Sequence, residues 1–202
     1  MTRFVYFDLG NVLLDFSHQQ AAEQAARLSG IPAEIAYRVL FEEGLQWPYE
    51  TGTVSSQQIH QQFCELTKSA SPLVSWLHAI SDIFQPKHEV WKIVQRLQDV
   101  SLPLGILSNT CDAHWQFCEK KYPSLLARFG VHALSFRMGV MKPHRQIYDL
   151  AAELAQTPLT EILFIDDRPE NVSGAQSCGI DAIHFTTPEN LAQALISRGV
   201  IS

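Results

Sequence analysis

The chain has 202 residues, 46% of them hydrophobic, which suffices for one domain with a full core or for one core carrying a smaller insertion. Charged residues make up 18% and the formal net charge is -6, with no basic run beyond Lys120-Lys121; this excludes a nucleic-acid footprint and leaves a small molecule or a protein as the expected partner. No stretch approaches membrane-spanning length, the start lacks the long apolar segment of a signal peptide, and Cys64, Cys111, Cys118 and Cys178 form no CxxC pair, so a cytoplasmic location with free thiols is expected.

The first strand candidate covers residues 4–7, a short apolar run ending at Asp8. From about Phe16 to Gln85 no clear strand follows; amphipathic spacing predicts helices over residues 19–28, 33–41, 56–66 and 73–83. Beyond them, apolar runs at 102–107, 133–136, 162–165 and 180–185 alternate with helix candidates at 89–98, 113–120, 145–155, 169–177 and 188–196. That alternation predicts an α/β fold with a parallel, Rossmann-like sheet. The expected organisation is a core from residues 1–15 and 86–202, with an α-helical insertion over 16–85 after the first strand. Its hinges are Asp15-Phe16-Ser17 and Gln85-Pro86, where proline disfavours helix in the residue before it.

Open parallel sheets bind ligands at the carboxyl ends of their strands, and four such places carry polar residues suited to phosphate chemistry. Asp8 closes the first strand and is followed by Leu9-Gly10-Asn11-Val12, where glycine lets the backbone approach a ligand. Ser108-Asn109-Thr110 follows the second run and offers a hydroxyl and backbone N–H groups to an anion. Lys142, beside Pro143, supplies a flexible ammonium. Asp166-Asp167 closes the run at 162–165; two adjacent carboxylates there are costly unless a cation or hydrogen bonds compensate them. Taken singly, the first three also read as a turn-capping aspartate, a helix N-cap and a surface lysine.

In this order Asp8, Ser108, Lys142 and Asp166-Asp167 resemble the four sequence motifs of the haloacid dehalogenase superfamily, over residues 4–185. Gly139-Val140-Met141-Lys142-Pro143 resembles the third motif, and Asp166-Asp167 with Asn171, Gly174, Ala175 and Gly179 resembles the fourth. Asp-Leu-Gly-Asn-Val and Ser-Asn-Thr are similar to the wording of a bacterial sugar-phosphatase subgroup that includes an α-D-glucose-1-phosphate phosphatase. The insertion sits where that family places a small α-helical cap, and residues 49–55 are similar to a cap segment.

The resemblance implies a Mg²⁺-dependent phosphatase acting on a small phosphorylated metabolite such as a sugar phosphate, with Asp8 forming an aspartyl-phosphate. It implies that Asp8, the Gly10 carbonyl, Asp167 and, through water, Asp166 hold the Mg²⁺, that Ser108 and the Asn109 backbone hold phosphate oxygens, and that Lys142 screens charge as part of the catalytic set. Charge counting agrees, because three carboxylates beside one lysine leave an excess that a divalent cation cancels. Gly10 departs from the family pattern, since phosphatases of the superfamily usually carry there a second aspartate as general acid and base. Asp15 is the nearest replacement in sequence. The alternatives are a haloacid dehalogenase, which also lacks the second aspartate and needs no metal, and a degenerate member that binds without turnover. Trp47, Tyr49 and Glu50 either face the substrate or pack the insertion.

Overall fold

The computed structural model describes residues 1–201. In chain order the elements are β1 (Phe4–Phe7), β2 (Leu14–Asp15), α1 (His18–Ser29), α2 (Ala33–Tyr37), continued by one π-helical turn (Arg38–Glu42), α3 (Gln46–Glu50), α4 (Ser56–Thr67), α5 (Leu73–Ser81) and β3 (Gln85–Pro86). They continue with α6 (His88–Asp99), β4 (Leu104–Ser108), α7 (Asp112–Lys121), α8 (Pro123–Leu126), β5 (Val131–Leu134), α9 (Ser135–Met138) and α10 (Arg145–Ala155). A 3-10 turn (Leu159–Glu161), β6 (Ile162–Asp166), α11 (Pro169–Ser177), β7 (Asp181–His184) and α12 (Pro188–Ser197) complete the chain. All five expected strands form one parallel sheet in the order β5-β4-β1-β6-β7.

β1 lies between β4 and β6, and therefore reads as a continuous apolar run instead of an alternating one. Its side chains divide by parity: Val5 and Phe7 join Leu104, Ile106, Leu163 and Ile165 on one face, while Phe4 and Tyr6 join Leu107, Ile162 and Phe164 on the other. Tyr6 is fully covered because its hydroxyl finds the Ala151 carbonyl at 2.8 Å.

The chain leaves β1, runs through the helices α1 to α5, and returns to α6. Exit and return are joined by the antiparallel ribbon of β2 and β3, with Leu14 opposite Pro86 and Asp15 opposite Gln85. Those are the two places the sequence marks as hinges. The helices between them have an apolar centre of their own. Ala22, Ala25 and Ala26 on α1 allow close approach to α2, and Phe63 and Trp76 fill the space between α4 and α5. Cys111 and Ala113, from the loop after β4 and the start of α7, join that centre. The helix starts follow capping chemistry: Ser17 accepts from the Gln20 N–H at 3.1 Å, and Ser55 and Gln58 form a reciprocal capping box.

Candidate active site

The strand order reverses at β1, whose two neighbours lead away to opposite edges, so a crevice forms beyond the carboxyl ends of β1, β4 and β6. Asp8 follows β1, Ser108 ends β4 and Asp166 ends β6, which brings these residues together although they are far apart in sequence. Lys142 arrives from the loop between α9 and α10. Its ammonium lies 3.0 Å from Asp8 Oδ1 and 2.6 Å from Asp166 Oδ2, and donates to the Leu107 carbonyl at 2.8 Å. All three protons of the ammonium thus have acceptors, and Lys142 and Asp166 are almost wholly buried.

Asp166 accepts from Lys142, from the Arg168 N–H at 2.8 Å and from Asn171 Nδ2, which reaches Oδ1 at 2.9 Å and Oδ2 at 3.1 Å. Both of its oxygens are held by protein donors, which makes it the anchor that aims Lys142. Asp8 is held differently. Oδ1 accepts from the Leu9 N–H at 2.7 Å as well as from Lys142, whereas no donor among the described residues reaches Oδ2. Asp167 accepts at Oδ2 from Asn11 Nδ2 at 3.1 Å. Asn11 has φ 54, a left-handed conformation that asparagine tolerates better than most residues.

Carboxylate oxygens of Asp8, Asp166 and Asp167 lie within 4.8 Å of one another. Burial pushes the Asp8 carboxyl up, Asp166 and Asp167 add to the rise, and Lys142 opposes it. Asp167 is raised as well, by burial first. Burial pulls the Lys142 ammonium down, but Asp8 and Asp166 outweigh it and keep it charged. The arrangement is a cluster of hard oxygen donors with more negative charge than one lysine balances, which fits a divalent cation of the Mg²⁺ type.

A cavity of about 590 Å³ opens over this cluster, lined by Asp8, Gly10, Asn11, Asn109, Lys142, Asp167, Arg168 and Asn171 from the sheet side and by Phe16, His18, Gln46, Trp47 and Glu50 from the helical side. The side chain of Asn109 is spent on positioning: Nδ2 donates to the Lys142 carbonyl at 2.9 Å, and Oδ1 accepts from the Lys142 N–H at 2.8 Å. Ser108 is buried and borders a smaller space shared with Gly10, Glu50 and Asn109. Asp15 does not line the cavity; it sits in β2 and pairs with Lys87. At Gly10 an added Cβ would lie 2.6 Å from Phe16 Cε1, so the Phe16 ring fills the place of a second aspartate.

Three residues around the site are not singled out by sequence reasoning. Ser135 takes the Thr110 N–H at 2.9 Å and reaches the Glu50 carbonyl at 2.7 Å, His18 stacks on Phe41 at 4.2 Å, and Arg168 stands on the cavity wall. Arg168 alone had a signal, its place directly after Asp166-Asp167.

A family model described as haloacid dehalogenase-like hydrolase matches residues 2–179. The chain belongs to that family. Among curated relatives, the D-ribitol-5-phosphate phosphatase of Bacteroides thetaiotaomicron is 22% identical over 94% of this chain and 93% of its own length. A mouse protein, acyl-CoA dehydrogenase family member 10, is 22% identical over 96% of this chain, which spans only 19% of that protein. Among solved structures, a HAD family enzyme from Bacteroides thetaiotaomicron in complex with magnesium and inorganic phosphate has a TM-score of 0.80 at 22% identity, over 92% of this chain and 95% of that one. A HAD-like hydrolase from Porphyromonas gingivalis gives 0.83 at 23% identity, over 99% and 98%. The L-2-haloacid dehalogenase of Xanthobacter autotrophicus gives 0.66 at 22%, over 98% and 83%. These likenesses establish the haloacid dehalogenase-like fold, and the family makes the chain a hydrolase with a phosphatase among its relatives.

Proposed function

We propose that the protein is a Mg²⁺-dependent phosphatase that hydrolyses a small phosphorylated metabolite, such as a sugar or polyol phosphate, through an aspartyl-phosphate on Asp8. The observation that carries this reading is the asymmetry of Asp8, whose Oδ1 is fixed by Lys142 and the Leu9 N–H while Oδ2 is left for attack on phosphorus. The Asp8 carboxylate, the Gly10 carbonyl and Asp167, with Asp166 through water, are the groups that would hold Mg²⁺, which supplies Lewis-acid polarisation of the phosphoryl group and cancels the carboxylate excess.

The protein groups do the rest. Lys142 neutralises charge between nucleophile and phosphate, Ser108 and the Asn109 backbone bind phosphate oxygens, and Asp166 with Asn171 keeps Lys142 in place. Residues 1–15 and 86–202 form the catalytic core in this reading, and residues 16–85 act as the cap that meets the non-phosphate part of the substrate. Trp47, 62% exposed on the cavity wall, gives the cap an apolar surface for that purpose. The cavity volume suits a phosphorylated sugar, and the relative from Bacteroides thetaiotaomicron is named for a polyol phosphate. A dehalogenase would bring a carboxylate substrate against Asp8, Asp166 and Asp167, a repulsion that favours the phosphatase.

The test is phosphate release from a panel of phosphorylated metabolites by the wild type, by Asp8→Asn and by the wild type in excess chelator. Release should require both Asp8 and Mg²⁺, and the variant should fall by at least about 10⁴-fold, or some 5 kcal/mol of barrier at about 1.36 kcal/mol per decade. Full activity in the variant or in chelator removes the reading.

A further inference from the structure

Glu50 ends α3 at the cavity wall, and its backbone is pinned to the sheet side from three directions. The Tyr49 hydroxyl accepts from the Ala113 N–H at 3.0 Å, Ser135 Oγ meets the Glu50 carbonyl at 2.7 Å, and Gly52, at φ +68, passes so close to Phe136 that a Cβ would stand 2.1 Å from its carbonyl oxygen. The carboxylate itself has no such task. Among the described residues it takes part in no hydrogen bond and no ion pair, although it shares the cavity with Asp8. A half-buried carboxylate kept for structure would have donors.

An alkyl phosphate releases an alkoxide that needs a proton, and the other groups around the cavity are poor sources. Gly10 has no side chain, and Lys142 spends its protons on Asp8, Asp166 and Leu107. Asp167 accepts from Asn11, and burial together with Arg168 holds the His18 imidazole below its ordinary range, so it is neutral. His144 is exposed and its Nδ1 accepts from the Gln146 N–H at the start of α10. Asp15 is turned to Lys87 outside the cavity.

We propose that Glu50 is the general acid and base of this site, a catalytic residue supplied by the helical insertion in place of one at position 10. This rests on the phosphatase reading above. As Asp8 Oδ2 bonds to phosphorus and the ester P–O bond breaks, Glu50 gives its proton to the departing oxygen and becomes a carboxylate. In the second half, water attacks phosphorus, the bond to Asp8 breaks, and Glu50 takes the proton that water loses, so each group ends as it began. Burial supports the protonated start: it pushes the Glu50 carboxyl up to about 7, with Arg168 and Lys142 opposing and Asp8 adding to the rise. Behind Glu50 stand the buried Cys111, whose thiol burial pushes up, and His114, which burial pulls down to about 4, and both are neutral.

The test compares the wild type, Glu50→Gln and Glu50→Asp, with Mg²⁺, on esters graded by leaving-group pKa from 4-nitrophenyl phosphate to glycerol phosphate. The wild type should depend weakly on leaving-group pKa, and its kcat on the alkyl ester should fall as pH rises through about 7. Glu50→Gln should lose about 10² to 10⁴-fold on glycerol phosphate, show a steep leaving-group dependence, lose that pH limb, and give a burst of 4-nitrophenol, because only the second half-reaction then needs the base. Glu50→Asp should recover part of the loss. Equal loss on every ester with no burst, or alkyl activity within a few-fold of wild type, overturns the proposal. So does a steep leaving-group dependence in the wild type, a result that needs no variant to fold. Failure of the phosphatase reading itself looks different: the wild type then releases phosphate from no ester.

Discussion

Lys142 shows most clearly how single residues set the site. Taking an ammonium out of water costs several kcal/mol, and it is offset here because Asp8, Asp166 and the Leu107 carbonyl receive all its protons. Lys142→Met keeps the length of the side chain but strands two buried carboxylates. The loss of stability should be about 3–5 kcal/mol in urea unfolding; a loss below about 1 kcal/mol would mean that the trio is not a closed electrostatic unit. Asp8, Lys142 and Asp166-Asp167 were legible in the sequence because each sits where an apolar run stops or beside a proline. That both oxygens of Asp166 are held by protein donors, whereas Asp8 keeps one oxygen free, was not legible, since Asn171, Arg168 and Leu9 reach them only in the folded chain. Gly10 showed the missing side chain, but nothing in the order of residues showed that the Phe16 ring fills its place.

Among the elements, the long periodic helices and the five apolar strands were readable because burial of one face or of a whole run writes itself into the spacing. α10 and α11 match the expected bounds, and the helix expected over 33–41 becomes α2 followed by a π-helical turn. The short elements were not readable. β2 and β3 have two residues each, and α3 has five with Pro48 among them, too few for any period to show. Yet α3 carries Glu50, and its attachment depends on Gly52. Gly52→Ala would force an unfavourable φ and drive a methyl into the Phe136 carbonyl. It should cost more than about 1 kcal/mol in stability and lower phosphate release beyond what the stability loss explains, because α3 must leave its seat. An unchanged melting temperature with unchanged turnover would show that this contact is not tight.

For the whole molecule, alternation of strands and helices was enough to predict a parallel α/β sheet, but not the order β5-β4-β1-β6-β7, because sequence spacing does not say on which side of β1 a strand is laid down. That order creates the crevice where Asp8 meets Asp166-Asp167, and the ribbon of β2 and β3 then holds the helical insertion above it. The central claim of the proposed function is transfer of a phosphoryl group to Asp8. The most direct measurement is acid quenching of the wild type during turnover of a phosphate ester with Mg²⁺, followed by mass spectrometry of the peptide that contains Asp8. The expected result is a gain of one phosphoryl group on Asp8, absent from Asp8→Asn and enriched in Glu50→Gln. Continuous phosphate release with Asp8 never modified would mean that water attacks the ester directly, and would contradict the account.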